Sequence, residues 1–189
     1  MKIFLISAKF LLLMTLITGL FYPFFIFGIA KIAFPNKSGG SFIEIGGVKI
    51  SSELIAQKFD SSIYFQPRPS AISYLPMPSG GSNLAPTSLK LRNKSDSLKK
   101  AFIRRNLLSE NTAIPPDAVF SSGSGIDPHI SPENALLQAE RIASARGFGL
   151  DKKNKLLELI NILTEQKQFG LFGEPRINVL ILNIELDKL

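Results

Sequence analysis

Ser97 and Lys100 fit S-x-x-K, and Ser109-Glu110-Asn111 fits S-x-N. Such a pair suits a serine peptidase in which lysine activates serine, and the three-residue spacing puts both side chains on one helical face. The pattern arises cheaply in a segment rich in Ser and Lys, and no K-T-G follows it. His129 is the one histidine, and there is no cysteine. A lone imidazole without further nitrogen or sulfur ligands does not make a zinc site, so no metal ligands are assigned. Following Asp127-Pro128, His129 reads as a residue that packs or hydrogen-bonds at a helix entry. Phosphate chemistry is equally thin. There is no G-x-x-x-x-G-K-[ST] loop, Gly123-Ser124-Gly125 lacks the third glycine of a dinucleotide turn, and no DKTGT-like segment offers an aspartate for phosphorylation. No catalytic residue is assigned.

The elements that would position these residues begin with an anchor. Between Lys9 and Lys31 lie 21 residues without a charge, FLLLMTLITGLFYPFFIFGIA. At about 1.5 Å of rise per residue such a helix spans the roughly 30 Å hydrocarbon core of a bilayer. Pro23 is compatible with a membrane helix, which it kinks. Thr15, Thr18, Gly19 and Tyr22 follow i, i+3, i+4, i+7, and the small residues among them form a face for packing against another membrane helix. A cleaved secretory signal is the competing reading. The apolar run exceeds the usual signal core, and Ala30-Lys31-Ile32-Ala33 has the wrong spacing for cleavage. The expected organisation is a short cytoplasmic N-terminus (1–9), a signal-anchor helix (10–34) and one extracytoplasmic domain (35–189). Lys2 and Lys9 with the terminal amine before the helix, against Lys31 and Lys37 after it, slightly favour a cytoplasmic N-terminus.

Charge narrows the function classes. Of 22 Lys and Arg, three flank the anchor, and the other 19 face 15 acids, leaving about +4. No aromatic-plus-basic motif accompanies that small excess, so nucleic-acid binding is not expected.

Along the rest of the chain, FIEIGGVKI (42–50) alternates on both sides of Gly46-Gly47 and predicts a hairpin pairing Ile45 with Val48, Glu44 with Lys49 and Ile43 with Ile50. Ser51 or Ser52 would cap a short helix reaching Phe59. Four prolines make 64–82 an irregular segment whose aromatics should pack down. Ser88 to Leu108 reads as a helix with a basic face from Lys90 to Arg105, suited either to solvent or to anionic headgroups or an acidic partner. Ser131-Pro132 starts a helix that Gly147 ends, Asp151 caps the next, and Leu156, Leu159, Ile160 and Leu163 face inward. The alternating run 177–186, INVLILNIEL, reads as a buried strand. The fold class is α+β: one N-terminal transmembrane helix, then a single mixed domain.

Four ordered stretches together resemble one family. They are LLLMTLITGLFYP (11–23), YFQPRPSA (64–71) with SGGSNLAPTS (79–88), SGSGIDPHISPENALLQAERIASARGF (122–148) and FGEPRINVLILNIELD (172–187). In order and spacing they are similar to the C subunit of the Kdp-type potassium-transporting ATPase. Ser88, where the family usually carries asparagine, and the basic run Lys90 to Arg105 depart from its pattern. The resemblance implies an accessory subunit that binds no cofactor itself, in a complex that handles ATP and potassium. Its implied partners are a potassium-channel-like subunit, a P-type ATP-hydrolysing subunit and a small membrane peptide, in a bacterial inner membrane. It further implies a catalytic chaperone that raises the ATP affinity of the hydrolysing subunit. Ser79-Gly80-Gly81-Ser82-Asn83 resembles in residue types the signature loop of ABC transporters, a nucleotide-related reading that competes with a plain structural turn. The alternative function is a stand-alone, signal-anchored binding module or peptidase-like enzyme.

Overall fold

The computed structural model describes residues 1–189, which divide into two compact units, Met1–Ser52 and Glu53–Leu189. The first begins with a continuous helix, Lys2–Ala33, none of it buried, long and apolar enough to cross a membrane. It comprises α1 (Lys2–Leu16), a π-turn (Ile17–Phe21) and α2 (Tyr22–Ala33). The π-turn has a local cause. Pro23 brings no N–H to the carbonyl four residues back and its ring crowds that turn. The wider turn accommodates this, with the Tyr22 N–H donating to the Ile17 carbonyl. A short helix α3 (Pro35–Ser38) follows, then the antiparallel pair β1 (Phe42–Ile45) and β2 (Val48–Ser52).

The turn at Gly46 and Gly47 has φ of +61° and +79°, the left-handed pair that a two-residue hairpin requires. Ile45 pairs with Val48 and Glu44 with Lys49 as expected, but a bulge between Ile43 and Glu44 puts Ile43 opposite Ser51 instead of Ile50. β2 then runs on to Ser52, whose hydroxyl donates to the Gly40 carbonyl at 2.7 Å. The expected helix from 51 to 59 does not form; its capping serine belongs to the strand. The hairpin groups with the first unit.

The second unit contains α4 (Leu89–Arg105), a 3₁₀ turn (Pro116–Ala118), β3 (His129–Ile130), α5 (Pro132–Ala145), α6 (Leu150–Ile162), β4 (Ile177–Asn178) and α7 (Val179–Leu186). β3 and β4 pair antiparallel, His129 with Asn178 and Ile130 with Ile177. The core joins Ala135, Ala139 and Ile142 of α5, Leu156 and Ile160 of α6, and Val179, Leu182 and Leu186 of α7, with Phe65 fully buried among them. α5 opens on Ser131, whose hydroxyl accepts from the Asn134 N–H at 3.1 Å, and Pro132 supplies the preset φ of a first turn. It closes in a Schellman arrangement: Gly147 at φ +64°, with its N–H on Ser144 and the Phe148 N–H on Ala143. α6 is capped at Gly149 and not at Asp151, which lies in its first turn where a carboxylate suits the helix dipole.

The run 177–186 is a helix and not the buried strand its alternation suggests. Only Ile177 and Asn178 pair as strand; the Asn178 Oδ1 then accepts from the N–H groups of Leu180 and Ile181 and starts α7. Val179, Leu182, Asn183 and Leu186 are buried at i, i+3, i+4, i+7.

Candidate functional site: a strap and two glycine loops

The segment 62–70 has no secondary structure of its own, so its backbone polar groups need other partners. Side chains of α5 and α7 supply them. Asn183 accepts the Phe65 N–H at 2.8 Å and donates to the Phe65 carbonyl at 2.9 Å. Gln138 does the same for Gln66, at 2.8 and 3.1 Å. Arg141 donates to the carbonyls of Ser62 and Tyr64, to Gln138 and to Asn106; Arg146 donates to the Ile63 carbonyl at 2.8 Å. Burial and then the neighbouring Arg105 pull the Arg141 guanidinium down to about 10, so it stays charged at neutral pH.

The network continues to the start of α5. Asn134 accepts from Gln138 at 2.9 Å and donates to Asp117 at 2.9 Å. Asp117 also accepts from the Ser131 N–H and hydroxyl. Side-chain amides thus treat the strap as an added strand whose hydrogen bonds are satisfied by residues instead of a neighbouring backbone.

Beyond the strap the two glycine-bearing loops meet. The Gly80 N–H donates to the Ser124 carbonyl at 2.9 Å. A Cβ on Gly81 would lie 3.0 Å from the Gly123 carbonyl oxygen, and one on Gly125 2.6 Å from the Gly80 carbonyl oxygen and 2.7 Å from Ile72 Cγ1. Gly125 also has φ +72°. Ser70 donates to the Gly125 carbonyl at 2.6 Å and accepts from the N–H groups of Ile72 and Tyr74. Tyr74 donates to the Arg68 carbonyl at 2.8 Å; burial, and next the Asp60 charge, push its hydroxyl up to about 12.

Arg68 reaches across to Asp127 at 3.3 Å, and the other carboxylate oxygen takes the His129 N–H at 3.1 Å and Nδ1 at 3.0 Å. Burial raises the Asp127 carboxyl, but the hydrogen bonds from His129 and the charges of His129 and Arg68 outweigh it and hold the group below the usual value. The Arg68 Nε is buried with no acceptor in the chain.

The structure sorts the sequence-derived candidates. Ser79, Gly80, Gly81, Ser82 and Asn83 form the loop just described, with the Gly80 donor committed to Ser124, and the loop ends before the Ser88 cap of α4. Ser97 and Lys100 are both exposed on α4 and share no hydrogen bond, so serine and base are not joined. His129 is bound to Asp127, and no group of three or more His, Asp or Glu that could hold a metal is gathered in the chain. On the apolar helix, Thr15 lies beside Gly19, and Thr18 donates to the Met14 carbonyl at 2.7 Å. Tyr22 follows directly after the π-turn, its N–H donating to the Ile17 carbonyl. Sequence reasoning missed Asn183, Gln138 and Arg141. The available signal was a polar residue within an otherwise apolar helical stripe.

Comparison with known proteins follows the same residues. A family model described as K+-transporting ATPase, c chain (KdpC), matches residues 4–188. A potassium-transporting ATPase KdpC subunit from Leptospira interrogans is 46% identical over 97% of this chain and 92% of its own length. One from Geobacter metallireducens is 46% identical over 94% and 93%, and one from Caldanaerobacter subterraneus 43% over 95% and 92%.

Proposed function

The chain belongs to the KdpC family, and from that premise we propose that it is the non-catalytic accessory subunit of an ATP-driven potassium importer, holding the ion-carrying and ATP-hydrolysing subunits together. The observation that carries this reading is the joined surface of the strap and the loops 79–83 and 121–130. Its side chains are spent on shaping backbone: Asn183 on Phe65, Gln138 on Gln66, Ser70 on Gly125. Such a rigid, loop-built surface suits partner recognition, which concentrates on loops carried by a packed scaffold.

The anchor crosses the bacterial inner membrane once with its N-terminus in the cytoplasm, and Thr15, Thr18, Gly19 and Tyr22 pack on a partner helix. The second unit then stands outside the cytoplasm. Any rise in the ATP affinity of the hydrolysing subunit is therefore transmitted through assembly, since a domain on that side does not touch cytoplasmic ATP. The nucleotide reading of Ser79–Asn83 is set aside for a contact role.

The chain has no cysteine, so Ser124→Cys on the exposed loop can be labelled selectively. Labelling by an impermeant thiol reagent in intact spheroplasts is expected; labelling only after lysis refutes the orientation. Leaving this chain out of co-expression should leave the remaining subunits purifying separately. An intact complex without it refutes the assembly role.

A further inference from the structure

Helix α4 carries a row of like charges that form no ion pair within the chain. Lys90, Lys94, Lys100 and Arg104 lie on one helical face with Ser97 in its middle, and all four are exposed. Lys90 with Lys94, and Lys100 with Arg104, are i, i+4 pairs of equal sign, which oppose helix formation. The N-terminal end of a helix is its positive pole, yet Lys90 sits in the first turn, which holds no acid. The chain forms ion pairs at eight places elsewhere, and none involves a residue of α4. Lys90 and Lys94 thus cost the helix stability; Lys100 has Asp96 four residues before it and Arg104 suits the last turn, yet none of the four forms an ion pair.

Beside this face is an open depression of about 910 Å³. Lys99, Lys100 and Arg104 line it together with the apolar Ala101, Ile103 and Leu108, and Asp96 and Glu110 also border it. Cations beside an apolar floor match a phosphate headgroup above the start of its acyl chains. An acidic protein surface would also attract such a face, but two features favour lipid. The chain carries its own membrane helix, Lys2–Ala33, in the unit that immediately precedes Glu53. A bilayer surface is thus permanently at high local concentration. Three of the four charges are lysines, mobile point charges that suit a diffuse anionic field and need no bidentate geometry.

We propose that the α4 face formed by Lys90, Lys94, Lys100 and Arg104 docks on anionic phospholipid headgroups of the membrane that anchors the chain, and so sets how the second unit stands on the bilayer. This goes beyond the accessory role and does not depend on it.

The test uses the full chain with Ser97→Cys carrying a donor dye, in nanodiscs containing headgroup-labelled acceptor lipid. One set is phosphatidylcholine alone; the other includes phosphatidylglycerol. Energy transfer should rise about twofold or more in the anionic discs and fall back in high salt, as screening of surface charge demands. Replacing all four cations with glutamine should abolish the difference, with thermal unfolding checking that the variant is folded. The salt titration with all four cations in place tests the proposal without that variant. Equal transfer in both lipids, or a difference insensitive to salt, overturns it. So does proximity that appears only when the co-purified pump subunits are present and is the same in both lipids, which would assign the face to an acidic protein surface.

Discussion

Asn183 holds both backbone polar groups of Phe65, 118 positions away in the chain, accepting its N–H at 2.8 Å and donating to its carbonyl at 2.9 Å. Both residues are buried, so the amide does for the strap what a neighbouring strand would do. Asn183→Leu leaves the two Phe65 groups buried without partners, at a cost of about 3 kcal/mol. Thermal unfolding of the detergent-solubilised chain should show a clearly lowered midpoint. Asn183→Asp keeps the acceptor but loses the donor and buries a charge against the Phe65 carbonyl, so its midpoint should also fall. An unchanged midpoint for the leucine variant would show that the strap is held elsewhere.

The contact between the glycine loops makes a sharper contrast. A Cβ at Gly125 meets the Gly80 carbonyl oxygen and Ile72, and the residue has φ +72°. Gly125→Ala should therefore cost on the order of 2 kcal/mol or more. Gly123, two positions earlier, has nothing within 4 Å of its would-be Cβ, and Gly123→Ala should be tolerated. Equal stability of the two variants would contradict the close approach.

Asp127 makes the fold acid-sensitive. Its carboxyl is held below the ordinary 3.8, burial being outweighed by His129 and Arg68. A carboxyl whose folded pKa lies below its unfolded one adds stability above the unfolded value and loses it as pH falls through the folded value. Asp127→Asn should therefore destabilise the chain at neutral pH, and the gap to the unsubstituted chain should close as pH drops below about 3.8. A gap that stays constant with pH would show that the carboxylate charge is not what matters.

On the apolar helix, Gly19 sits beside Thr15, its would-be Cβ 3.9 Å from Thr15 Cγ2. Gly19→Leu puts a bulky side chain on the small-residue face and should reduce co-purification with the other subunits. The yield of assembled complex from the variant decides this; an unaffected Gly19→Leu complex rules out the stripe.

How much of this was legible depended on whether the signal was local. The Gly46-Gly47 turn, the Ser131-Pro132 helix start and the Gly147 stop are local demands on φ or on capping, and each appears where its residues stand. The run 177–186 misled because it is apolar enough to satisfy both a two-residue and a 3.6-residue period. Asn178 decides for helix by capping it, and Asn183 marks the face. Ser52 failed as a cap because its hydroxyl was already spent on Gly40. The candidate surface was half visible: the strap and the loops 79–83 and 121–130 stand out as separate Pro- and Gly-rich stretches. Their meeting rests on contacts such as Gly80 to Ser124 and Arg68 to Asp127, which no spacing encodes.

The central claim is that this chain contributes assembly and no turnover. The most direct measurement compares ATP hydrolysis and potassium uptake of the reconstituted complex with and without the chain, beside the purified chain alone. Both activities should be lost when the chain is omitted, and the chain alone should show none. Specific turnover by the chain alone, abolished by Ser97→Ala or Lys100→Ala, would contradict the account and return the peptidase-like reading.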